Sequence, residues 1–319
     1  MLASILKTKL KLGEDRQRDL SAKTMSRLVW EQFIEHRMAV ISVYIIGFFC
    51  LIAVSADLIS WMLGTNPYDQ DILNRFAAWS TGHWLGTDEA GRDVFMRLIY
   101  GTRVSLIVAF VSALSAAVMG IIVGSLSGYF GGTMDAVLMR ITDSLLALPT
   151  LPILIILAAV DFGKLPLLST LLQGEDSSIF KMILILMFFS WMVEARLVRG
   201  SILSLKQREF VLAARTTGMA HLRIIWSEIL PNVLSPVMVA VTLNVGSAIL
   251  YEAALSFLGL GIQPPTPSWG NMLNNAREII YSAPALAVIP GLLILIIVMA
   301  FNFLGDGLQD ALDPKAIRR

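Results

Sequence analysis

The chain has 319 residues, 56% of them hydrophobic and only 15% charged, where soluble domains carry about 25% charged residues. A single water-surrounded core does not account for the surplus, because the apolar residues fall in separate blocks, each long enough to cross ~30 Å of hydrocarbon at roughly 20 residues per helix. The net charge of +1 offers no basic field for nucleic acid, and the one cysteine, Cys50, permits no internal disulfide.

The first 37 residues are mostly polar, unlike the short basic start of a signal peptide, so the apolar run after them reads as an uncleaved anchor. Within residues 1–37, Met25, Leu28, Val29 and Phe33 recur at helical spacing among Lys23, Arg27, Glu31 and Arg37, as in a helix lying in the headgroup plane. A first span is expected over 38–62, followed by a long connection, 63–102. The second span fills the uncharged stretch between Arg103 and Asp135, with Ser127 to Gly132 reading as a tight loop. A third runs from Met134 to Val160, kinked at Pro149 and Pro152. The fourth, Ile179 to Val198, holds Lys181 and Glu194 near its limits, where their side chains are expected to snorkel. The fifth covers Asn232 to Leu258 and the sixth Pro284 to Leu304, before a tail at 306–319. The expected fold is all-α, a bundle of six transmembrane helices, with residues 103–305 as its main transmembrane domain.

Six spans place both termini on one side. With that side inside, seventeen of the 25 Lys and Arg residues fall in inner segments, and short loops rich in them stay cytoplasmic. Along the second span a small residue recurs at every fourth position, Ser112, Ala116, Gly120, Gly124 and Gly128, a stripe on one face along which a partner helix can approach closely. Arg140 and Asp143, three apart, are spaced to pair on one helix face.

The inner loop, 199–232, is charged yet helical in pattern. Ser204 and Gln207 fit a capping box, Glu209 suits a helix start, and Gly218 can end the helix in the left-handed conformation. A second short helix is expected from Ala220 to Leu230, ended by Pro231. Such a module has little core of its own and must dock: Phe210, Val211, Ala214 and Leu222 offer apolar contact among Arg208, Arg215 and Arg223.

The run Glu209-Phe210-Val211-Leu212-Ala213-Ala214-Arg215-Thr216-Thr217-Gly218, closing on Ile229-Leu230-Pro231-Asn232, resembles the signature loop of ABC importer permeases. Leu212 stands where many members have Glu. Three more stretches narrow the resemblance to the C-type subunit of the dipeptide and oligopeptide permease family: His83 to Asp93 continuing to Leu106, Leu255 to Gly261 with Pro264 to Gly270, and Gly305 to Pro314. The resemblance implies a bacterial inner-membrane subunit with a second homologous permease, two ABC ATPase subunits, an extracytoplasmic substrate-binding protein, and a peptide or peptide-like solute. ATP and Mg are then used by the partners; the chain itself lacks the Gly-rich loop ending in Gly-Lys-Ser/Thr that cradles phosphates. The resemblance makes Glu209, Phe210, Val211, Ala213, Ala214, Arg215, Gly218, Leu230 and Pro231 the ATPase-coupling residues.

Glu252, a charge within the fifth span, is a functional candidate by default; it either faces the passage, with Asn244, or pairs with an Arg of the other permease. In the long outer connection, Tyr68, Trp79, Trp84, Asp88 and Arg92 are candidates for docking a binding protein, with internal tethering by Asp88, Arg92 and Asp93 as the alternative. An intramembrane protease is disfavoured, since Asp143 and Asp161 sit at opposite ends of one helix. His36, His83 and His221 fall in different segments, so no metal-ligand cluster forms. An ion-coupled carrier is disfavoured by the lack of an internal repeat.

Overall fold

A computed structural model describes residues 25–160, 162, 177–274, 280–281 and 283–312. Asp161, the first 24 residues and the end of the tail from Asp313 lie outside the described residues. The described chain is helical, without strands, and builds nine helices: α1 (Met25–Glu35), α2 (Arg37–Leu63), α3 (Val94–Phe130), α4 (Gly132–Leu146), α5 (Thr150–Ala159), α6 (Ser177–Leu205), α7 (Glu209–Thr216), α8 (His221–Phe257) and α9 (Ala285–Leu312). Five of them, α2, α3, α6, α8 and α9, are long and apolar enough to cross a membrane; α4 and α5, bent by 86° at the break before Thr150, make a sixth candidate span. The bundle has a proximal end, bearing the start of α2 and the end of α9, and a distal end, bearing the 64–93 connection.

The small-residue stripe of α3 does what its spacing predicts. It lies on α6, and a Cβ added at Gly120 would sit 2.5 Å from the Glu194 Cβ, one at Gly124 2.5 Å from the Ala195 carbonyl oxygen, and one at Gly128 3.0 Å from the Ile202 Cβ. Only glycine lets the two backbones close to this distance. On the other side α3 packs on α2 and α8, with Phe110 edge-on to Phe301 of α9 at 5.5 Å. α2 is the peripheral helix: Tyr44, Leu51, Val54 and Trp61 face outward, as suits lipid contact.

Several boundaries differ from the sequence expectation. The second span starts at Val94, well before Arg103, because Asp93 caps it by accepting from the Met96 N–H at 2.7 Å. Its two arginines are neutralised in place, Arg97 by Asp88 (3.3 Å) and Arg103 by Asp57 of α2 (2.8 Å). The helix also runs through Phe130 instead of looping at Ser127; the turn is confined to Gly131 and Gly132, both at positive φ. The third span breaks before Pro149, while Pro152 sits in the first turn of α5, where a missing N–H costs nothing. Asp143 pairs with Arg196 of α6 (3.7 Å) rather than with Arg140. Span six continues to Leu312, held at its end by Gly307 packed on Ala39 and by Ala311 and Leu308 packed on Phe33 and Val29 of α1. The apolar face of α1 is thus partly covered by the bundle, with Trp30 and Ile34 left outside.

The fifth span absorbs what reads in the sequence as a separate helix. Pro231 does not end it, because residues Ile224–Ile229 form a π-helical turn in which Leu230 donates to the Ile225 carbonyl, so the ladder is already offset where the proline lacks its N–H.

Candidate functional site

Residues 206–230 form a compact proximal module. α7 begins at Glu209 with Arg208 as its N-cap residue and no side-chain cap; Ser204 lies in the last turn of α6, so the expected Ser204–Gln207 capping box does not form. Glu209 sits in the first turn and Arg215 in the last, each favourable to the helix dipole. Gly218 takes φ +77°, the left-handed stop expected of it. Met219 then donates to the Ala214 carbonyl, returning the chain towards α8.

This module is two-faced. Val211 and Ala214 point inward and join Ile224, Ile229 and Val233 of α8, Val198 and Ile202 of α6 and Tyr129 of α3 in one buried cluster. Leu230 is buried as well, while Pro231 is exposed. On the outer side Phe210 (41% exposed), Leu212, Ala213, Leu222 and Trp226 (66%) present apolar surface with nothing of this chain over it among the described residues. The module is pinned to the proximal end of α3, and α6 beside it is tied to α4. The Arg215 guanidinium lies 4.9 Å from the centre of the Tyr129 ring, and the Tyr129 hydroxyl and His221 Nδ1 are hydrogen-bonded at 2.8 Å. Lys206 donates to the Gly128 carbonyl (2.9 Å), and Arg199 donates twice to Asp135 (2.6 and 2.7 Å). The exposed face is thus backed by α3 through polar contacts and by α6 and α8 through apolar packing.

Between α4 and α5, α6, α8 and the end of α9 lies a cavity of about 740 Å³, lined by Leu146, Leu154, Phe189, Ser190, Ser235, Asn244, Ser247 and Tyr251, among others. Asn244 lies on its wall, and its side-chain amide donates to Glu194 Oε1 at 2.7 Å. Glu194, read from sequence as a flanking charge, is a mid-helix residue, 2% exposed, on the same wall. Its Oε2 accepts no hydrogen bond from the described residues.

Glu252 is elsewhere. It is wholly buried between α3 and α8 and does not line the cavity. One of its oxygens accepts from Ser256 and Ser268 (both 2.8 Å) and the other from Ser105 (3.2 Å). These serines tie the Leu255–Gly261 and Pro264–Gly270 stretches back into the distal end, where Trp269 is fully buried and donates from Nε1 to the Leu98 carbonyl (3.3 Å). Neither the passage nor an external arginine is needed to satisfy this carboxylate.

In the distal connection, Asp88 and Arg92 are buried and tied to each other (2.8 Å), and Asp88 also accepts from the Ala90 and Arg92 N–H groups and pairs with Arg97. Asp93 holds His83 (2.9 Å) while capping α3. These residues brace the loop from inside. Trp84, tilted on Phe95 at 5.2 Å, keeps about half its surface open, and Trp79, Ile72 and Leu73 are also exposed. Among the described residues no group of three His, Cys, Asp or Glu side chains is placed to hold a metal ion.

A helical membrane bundle with a firmly held, apolar surface module at one end and a mostly apolar cavity between its helices is the architecture of a transport permease. The chain belongs to the binding-protein-dependent transport system inner membrane component family, whose pattern matches residues 120–318, preceded by a match of residues 24–78 to the N-terminal TM domain of oligopeptide transport permease C. It is 40% identical to the dipeptide transport system permease protein DppC of Alkalihalophilus pseudofirmus, over 91% of this chain and 90% of that one. It is 39% identical to the glutathione transport system permease protein GsiD of Pectobacterium atrosepticum, over 93% and 94% of the two chains. A chain of the MetNI methionine ABC transporter, solved in inward-facing conformations, shares the fold with TM-score 0.53 and 21% identity, over 69% of this chain and 97% of that one. The protein is thus a multi-pass permease component of an ABC importer and not itself an enzyme.

Proposed function

We propose that this chain forms half of the translocation pathway of an importer for short peptides or related solutes such as glutathione, alongside a second, homologous permease, two ABC ATPases and an extracytoplasmic binding protein. The substrate class rests on the two relatives named for dipeptide and glutathione transport, each matching nine-tenths of the chain. The proximal end is cytoplasmic in this reading, supported by the concentration of Lys and Arg in segments at that end. The ATPases use the ATP and Mg, and the exposed face of Phe210, Leu212, Ala213, Leu222 and Trp226 receives one of them. Val211, Ala214, Arg215, Gly218 and Leu230 act beneath that face by fixing its shape, with Glu209 at its leading edge and Pro231 at the join to α8. On the distal side, Trp84 and its exposed neighbours meet the binding protein, with Asp88 and Arg92 holding the loop in form.

The observation that carries this reading is the apolar surface left uncovered on a module whose other face is locked to three spans. Several exposed apolar side chains on one short module mark a protein contact. The test is purification of the tagged complex from its native membrane with Phe210→Asp or Ala213→Asp. Both side chains are exposed, so the permease is expected to fold while the ATPase subunits are lost. Retention of the full ATPase complement in both variants sinks the docking assignment.

A further inference from the structure

The cavity wall holds a buried carboxylate that the described residues satisfy only in part. Glu194 is 2% exposed, receives one hydrogen bond, from Asn244, and leaves Oε2 without a donor among the described residues. Buried acceptors are satisfied as a rule, and an ionisable group within a span that is not satisfied marks a pathway or a ligand. The described lining of the cavity contains no Lys, Arg or His, so no described residue neutralises Glu194 there. Its placement is rigid: Gly120 of α3 is packed under the Glu194 Cβ so closely that an added methyl group would lie 2.5 Å away. The base of the side chain is therefore fixed against α3, and Glu194 shares the border of the open volume with Asn244. At about 740 Å³, that volume is in the range of small-molecule sites. The other polar groups around it, Thr150, Ser190, Ser235, Ser247, Tyr251 and Gln309, are neutral hydrogen-bonding side chains suited to amide groups.

We infer that Glu194, presented by Asn244, is the point in the membrane cavity where the protonated amino group of a solute is received during its passage. The inference rests on the reading of the chain as a solute-translocating permease and adds a charge requirement: a single positive group travels against a single negative one, in a chamber otherwise neutral. One carboxylate at one wall binds weakly enough to release, since only one oxygen is free.

The test uses the whole complex in nanodiscs, with Cys50→Ser as background and Ser247→Cys as a reporter on the cavity wall. Its rate of modification, divided by each reagent's rate with a free thiol in solution, is compared for a cationic and an anionic methanethiosulfonate of similar size. A cleft bearing one sign of charge concentrates the opposite ion by about tenfold or more, so the cationic reagent is expected to react at least about tenfold faster, with the preference abolished by Glu194→Gln. Dialanine, with its free ammonium, is expected to slow the labelling and N-acetyl-dialanine to leave it unchanged. Equal rates for the two reagents overturn the proposal, whether because Glu194 is neutral or because a base of the second permease covers it. Equal protection by both dipeptides overturns the ammonium assignment. Co-purification of the second permease and the ATPases is scored in the same samples: a chain that purifies alone breaks the underlying reading, whereas an intact complex without charge preference breaks only this inference.

Discussion

Glu252 and Glu194 are both buried glutamates inside helices of one bundle, and the difference between them separates holding from handling. Glu252 accepts from Ser105, Ser256 and Ser268 with both oxygens and sits where α3, α8 and the 255–270 stretch converge. Among the described residues Glu194 accepts from Asn244 alone, and it borders an open volume. A carboxylate whose acceptor sites are filled by the fold is part of the fold; one left half-filled beside a cavity is available to something that comes and goes. Position in a span does not distinguish the two, and neither does burial. Only the list of partners does.

The comparison breaks most readily at Glu252. Replacing it with Ala strands three serine hydroxyls and is expected to cost about 3–5 kcal/mol, read as a collapse in the temperature at which the detergent-solubilised complex aggregates. If Glu252→Ala is as stable as the parent, the serine knot is not a structural centre. Next comes the seam that positions Glu194. Gly124→Val drives a side chain into the Ala195 carbonyl and Val198, and overpacking of this kind costs about 2–3 kcal/mol; folding yield measured by size-exclusion profile should fall, while Gly47→Val, in open space on α2, should not change it. At the proximal module, Val211→Ala removes a fully buried side chain and is expected to lower stability by about 1.5–2 kcal/mol, whereas Phe210→Ala should stay within about 0.5 kcal/mol yet reduce recovery of the ATPases. Equal thermal shifts for the two would contradict the two-faced description. The smallest effect belongs to Arg215→Gln, which loses the contact with the Tyr129 ring, worth about 0.5–1 kcal/mol. Its readout is local hydrogen exchange at residues 209–221, which should rise without change at α9.

Much of this arrangement is legible in the residues, and the failures share a cause. The stripe from Ser112 to Gly128 announces close helix packing because spacing alone sets which positions share a face, and Gly218 announces a stop because only glycine enters the left-handed region cheaply. Pro231 misleads since its effect depends on the hydrogen bonds around it: a π turn one residue earlier makes the missing donor harmless. Asp88 and Arg92 read equally as docking charges or as internal ties, and the choice waits on partners, Arg97 and the loop's own N–H groups, that are set by how the loop folds back. Glu194 escapes the sequence reading because a charge near the limit of an apolar run resembles a snorkelling flank. Its place changes once α6 extends to Leu205, which is a matter of helix length and not of the residue itself.

The continuity of α8 has a geometric consequence. Its 37 residues, at 1.5 Å of rise each, make a rod of roughly 55 Å, with exposed Trp226 near one tip, Asn244 beyond the middle and the Glu252 knot near the other tip. A rod that pivots moves its tips in opposite directions, so a tilt of about 10° displaces each by roughly 5 Å, close to the width of a backbone. No loop intervenes to absorb the motion. A push on the proximal tip is therefore met by an opposite swing at the distal one, like the two arms of a balance beam, with Asn244 riding close to the fulcrum and Trp269 under the far pan.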